Sequence, residues 1–105
     1  NYDPEILADK DFEEIEEIEK TIQQVNLFPN PTNNILNVAF ELTNNSDVKM
    51  MVMSLTGQIV EMRDLKLEEG TQQFKIDVNR FDSGVYFIHL ITNDERISKK
   101  FIVVN

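Results

Sequence analysis

From residue 22 to the end of the chain, apolar and polar residues alternate in short runs with a period of two. That period puts successive side chains on opposite faces of a strand. ILNVAFEL places Leu36, Val38, Phe40 and Leu42 on one face. VKMMVMSL sends Val48, Met50 and Val52 inward, while Met51 and Met53 make its other face apolar too. QIVEMRDL follows Thr56-Gly57, a hairpin turn, and QQFKIDV alternates through Phe74, Ile76 and Val78. VYFIHLIT and RISKKFIVV complete the set. Between the runs lie turn clusters rich in Asn, Asp, Ser and Gly, around residues 31–34, 43–47, 69–70, 82–84 and 93–94. With the stretch leading into Leu27-Phe28-Pro29-Asn30-Pro31, the pattern predicts about seven antiparallel strands.

The turn before the penultimate run narrows the architecture. In immunoglobulin-like sandwiches a tyrosine near the start of that strand bonds its hydroxyl back to the corner backbone. Asp82, Gly84 and Tyr86 stand at that position, with Gly84 supplying backbone freedom. Ile88 occupies the place where antibody domains carry a cysteine. The expectation is an all-β, immunoglobulin-like antiparallel β-sandwich over residues 24–105, without a disulfide.

Ahead of it, DFEEIEEIEKTI spaces Phe12, Ile15, Ile18 and Ile22 as a helix would, with Asp9 or Asp11 available as N-cap. Residues 1–23 are read as an acidic linker or short helix.

The prolines of LFPNP press Phe28 and Asn30 into extended backbone. They also remove two ladder donors, so the first strand ends there and cannot recruit another chain. Asn30 is left between two fixed φ angles, its amide free for an Asx-type turn or a partner. A rigid corner is the leading reading on physical grounds, and a presented recognition element is the second.

Charge reinforces the division of the chain. Residues 1–25 hold nine acids and two lysines (−7), and residues 26–105 hold ten acids and eight bases (−2), which sums to the net −9. Such a balance disfavours nucleic acid. Absence of cysteine removes disulfides and thiolate chemistry. No apolar run approaches the roughly 20 residues of a membrane-spanning helix, and no signal peptide opens the chain. Starting on Asn rather than Met, it reads as a fragment or mature product.

Candidate chemistry is sparse. His89, the single histidine, sits between Ile88 and Leu90 on a strand, so no nucleophile–base pair is evident. DKDFEE at residues 9–14 echoes a calcium loop but lacks its glycine and terminal ligand spacing. Asn44-Asn45-Ser46 fits a glycosylation acceptor. No metal site, cofactor or catalytic residue is expected, and the inventory argues against an enzyme.

Four motifs in order resemble one family: LFPNP, SLTGQIV at 54–60, DSGVYFI at 82–88 and SKKFIVV at 98–104. Over about residues 24–105 the chain resembles a type IX secretion system C-terminal sorting domain of type A. By position, the resemblance assigns recognition to Pro29, Asn30 and Pro31 and to Lys99, Lys100 and Phe101. Gly57, Gly84 and Tyr86 take structural roles. Ser54 stands where the family often has aspartate, and Phe28 where it often has tyrosine. The resemblance implies a Gram-negative cargo protein that passes through the periplasm and crosses the outer membrane to the cell surface or medium. Its partners would be the type IX translocon and sortase proteins and an N-terminal cargo. The domain would typically be cleaved and replaced by an anionic lipopolysaccharide anchor, with residues 1–23 the linker. The alternative is a stand-alone secreted immunoglobulin-like module that binds a surface partner or self-associates as a homodimer.

Overall fold

The computed structural model describes residues 20–105. The acidic segment before Lys20, including the calcium-like DKDFEE, lies outside the described residues. Seven strands follow in order: β1 (Ile22–Phe28), β2 (Ile35–Leu42), β3 (Ser46–Ser54), β4 (Ile59–Leu67), β5 (Gly70–Asp77), β6 (Gly84–Ile91) and β7 (Arg96–Val103). They form two antiparallel sheets, β1-β2-β5 and β4-β3-β6-β7. This is the immunoglobulin-like sandwich that the period-two pattern predicts.

The alternation becomes the core. Leu36, Val38, Phe40 and Leu42 from β2 meet Val48, Met50 and Val52 from β3 and Ile88 and Leu90 from β6, all buried. Burying each such side chain contributes about 1.5–3 kcal/mol, which stands in for the missing disulfide.

Ile22 departs from the helical stripe expected of it. It opens β1, two residues ahead of the expected start at 24, and is 1% exposed. The reason lies in its backbone partners: the Thr21 and Ile22 amides both donate to Glu95 Oε1, at 2.9 and 3.2 Å. A bulge follows, with Gln24 at φ 56° and the register shifting between Gln23 and Asn26. The extra residue moves the inward set from Ile22 to Val25 and Leu27, which pack against the core.

The two open seams are closed by polar links. Along β4 and β5, Arg63 Nε pairs with Glu61 at 2.9 Å while its Nη2 donates to Lys75 O at 3.0 Å. Arg80 also pairs with Glu61 and lies over the Phe81 ring, 5.3 Å from its centroid. The β1 and β7 seam is closed by the elements of the candidate site.

Candidate recognition site

β1 ends at Phe28, and residues 29–34 swing across to the outer edge of β7. Phe28-Pro29 and Asn30-Pro31 are both cis peptides. The Asn30 carboxamide then behaves as a piece of strand. Its Nδ2 donates to Lys100 O at 3.2 Å, and its Oδ1 accepts from the Ile102 amide at 3.0 Å. One residue beyond Pro31, Thr32 continues the pairing as a parallel bridge to Val103. Its amide donates to Ile102 O and its carbonyl accepts from Val104 N, each at 2.9 Å. Thr32 Oγ1 donates to Ile35 O, leaving the residue 2% exposed. The proline-asparagine-proline element therefore caps a sheet edge. The amide expected to make an Asx-type turn or to face a partner is instead bonded to the backbone of β7.

The last strand divides its residues between core and surface. Lys99 and Lys100 are exposed, whereas Phe101 is fully buried. Phe101 acts through packing: its ring stacks on Tyr86 at 5.7 Å, which stacks on Phe81 at 5.3 Å. Lys99 shares the inward side with Phe101 yet remains exposed, so it is a charge at the open seam that opposes edge-to-edge pairing.

Tyr86 makes the expected corner. Its hydroxyl donates to Asp82 O at 2.7 Å. Burial, helped by the Asp82 charge, pushes the phenol pKa up, so the donor proton stays in place. Gly84 opens β6 at φ 155°. Gly57, at φ 95°, closes the β3–β4 hairpin, donating to Ser54 O at 2.9 Å, a conformation a side chain would strain. Ser54 is itself a turn residue here: its Oγ accepts from the Gln58 amide at 3.1 Å. At the same end, Asn105 binds Ser83 Oγ through its amide and Phe81 O through its side chain. Corner, final strand and proline element are thus one bonded unit.

The opposite end receives the chain at Lys20. Sequence reading missed Glu95, whose second carboxylate oxygen is buried without a partner. It also missed the cross-strand contact of His89 Nδ1 with Ser98 Oγ at 2.7 Å. Burial first, and the Arg96 charge second, hold the imidazole below its usual pKa. This pair lies on an open sheet face, in the row of Met51 and Met62. Among the described residues no group of three or more His, Asp or Glu side chains is placed to hold a metal ion. Nor, among them, is any helix long and apolar enough to cross a membrane.

Residues 26–104 match the model of the secretion system C-terminal sorting domain. The chain belongs to that family. A sorting domain of this kind is a C-terminal signal for type IX secretion, not a catalyst. It marks a cargo protein for recognition by that system and for export to the cell surface or the medium. The sorting domain is also similar to ulvan lyase NLR42 of Nonlabens ulvanivorans, 30% identical over 87 residues, 80% of this chain and 15% of that protein. Among solved structures it resembles a β-glucosidase from Erythrobacter marinus, with TM-score 0.53 and 12% identity over 79% of this chain and 15% of that one. The latter likeness is one of fold. In both cases the sorting domain spans about 15% of the protein it matches.

Proposed function

We propose that the sandwich is read as a folded address, and that the 29–31 corner together with Lys99 and Lys100 forms the surface the type IX translocon contacts. The observation that carries this reading is the double hydrogen bond from the Asn30 carboxamide to β7. It holds the corner and the lysines in one fixed arrangement, so little ordering entropy is lost on docking. Phe101, Tyr86, Gly57 and Gly84 support that surface from beneath or beside it. The cargo passes through the periplasm with the domain attached. A sortase then removes the domain upstream of β1 and joins the cargo to an anionic lipopolysaccharide. Catalytic work belongs to the cargo.

The test fuses residues 1–105 behind a periplasm-directed fluorescent protein in a host carrying the system. A fusion starting at residue 24 would leave out Ile22 and the backbone that Glu95 holds. Fluorescence should reach the surface or medium and return to the periplasm when the translocon is deleted. A folded domain that leaves its passenger in the periplasm of the intact host would overturn the proposal.

A further inference from the structure

The outer face of the four-stranded sheet is apolar where a solvated face would be polar. Two rows cross it. One runs Ile59, Met53, Phe87, Lys100, and the next runs Met62, Met51, His89, Ser98. Ile102 lies beside Lys100's row on β7. Ile59 and Met62 are 46% and 47% exposed, and Met51, Met53, Phe87 and Ile102 are half-buried. Nothing in sandwich packing requires this, because the core lies on the other side of the sheet. Contiguous apolar surface of this kind marks an interaction site more often than it marks chance.

Its chemistry says what should cover it. Three of the chain's four methionines lie here. Methionine is flexible and polarisable, and suits a surface that must seat against a partner by adjusting. The rim is mainly basic: Lys49 on β3 and Arg96 and Lys100 on β7 outnumber Asp64, which faces Lys49 from β4, and β7 itself carries no acid. In a chain of net charge −9 this patch has the opposite sign from the whole. It is also continuous with the edge that Asn30 caps, through Lys100 and Ile102.

We infer that this methionine-rich face is a second docking surface of the sorting domain, taken by a type IX component that presents an apolar patch with an acidic rim along β7. The inference rests on the sorting reading and adds to it. The apolar rows supply affinity by burial, and the β7 cations fix orientation and speed encounter. The corner and the face are then read together from one side of the molecule.

The experiment uses the 1–105 fusion with two variant sets. One is Met51→Gln, Met53→Gln and Met62→Gln together; the other is Lys49→Glu with Arg96→Glu, both exposed positions outside the proline corner and its lysines. Each purified chain is checked for an unchanged circular dichroism spectrum. Either set should reduce export by about tenfold or more, as loss of a hot spot does. Failure of the unsubstituted fusion would count against the sorting reading itself. Export of the unsubstituted fusion with undiminished export of both folded variants would overturn this inference alone. So would sedimentation showing a dimer of the chain that the glutamine substitutions return to monomer, since the face would then be covered by a second copy. If the glutamine set does not fold, the charge-reversal set decides by itself.

Discussion

Replacing Asn30 by alanine separates the two jobs of the proline corner. The substitution deletes two hydrogen bonds to β7, from Nδ2 to Lys100 O and from the Ile102 amide to Oδ1. Both lie at an exposed edge, so water takes over the freed groups. Each bond then contributes near the lower part of the usual 0.5–1.5 kcal/mol. Together they give about 1–2 kcal/mol, because detaching residue 30 also loosens the two backbone bonds of Thr32. For a domain of this size that lowers Tm by about 5–10 °C. Thermal unfolding followed by circular dichroism supplies the number, and amide hydrogen exchange supplies the place. Exchange at Ile102 and Val104 should accelerate ahead of the core strands, since edge opening is local. Asn30→Asp keeps an acceptor for Ile102 but faces Lys100 O with oxygen, so it should fall between alanine and wild type. An alanine variant with unchanged Tm and unchanged exchange at Ile102 would refute the account of Asn30 as a side-chain extension of the sheet.

Tyr86→Phe should cost about 1 kcal/mol, the net value of its bond to Asp82 O, with the fold intact in the spectrum. Phe101→Ala removes a fully buried ring from the Tyr86 and Phe81 stack and should cost about 3–5 kcal/mol, measured by denaturant midpoint. Glu95→Ala should cost about 1–3 kcal/mol and expose the Thr21 and Ile22 amides to exchange. Because the folded state holds the His89 pKa below 6.5, its contribution to stability is present above that value and is lost as pH falls through the folded-state pKa. Wild-type Tm should therefore decline on acidification from about pH 7.5, and His89→Gln should show a flatter profile over the same range.

The sandwich was legible because its signal is local. Runs such as Leu36 to Leu42 fix their own inward face, and the Asp82 to Tyr86 corner names the strand it begins. Gly57 and the 29–31 prolines likewise mark turns by backbone chemistry alone. What sequence could not show depended on pairs distant along the chain. Asn30 looked free because its partners, Lys100 and Ile102, are seventy and seventy-two residues away. Ile22 fitted a helical stripe by spacing, and what ties it into a strand is distant: Leu42 across the ladder and Glu95, seventy-three residues on. The resemblance grouped Phe101 with Lys99 and Lys100, although strand alternation places it in the core while Lys100 faces out. The apolar outer face was half visible in Met51 and Met53. Its full extent needed the register that brings Met62, Ile59 and Phe87 beside them.

The Glu95 clamp also sets how the domain meets mechanical load. The described chain enters at Lys20 and Thr21, beside the β6–β7 turn, and reaches Asn105 beside Ser83 at the far end. A tether pulling at the first strand while the far end is gripped would load β1 along its length. Its ladder to β2 would then be strained in shear, with bonds sharing the force, rather than peeled one at a time. The carboxylate gripping two successive amides is the first link in that path. A pull along β1 would then have to break the Glu95 bonds before it reached the β1–β2 ladder.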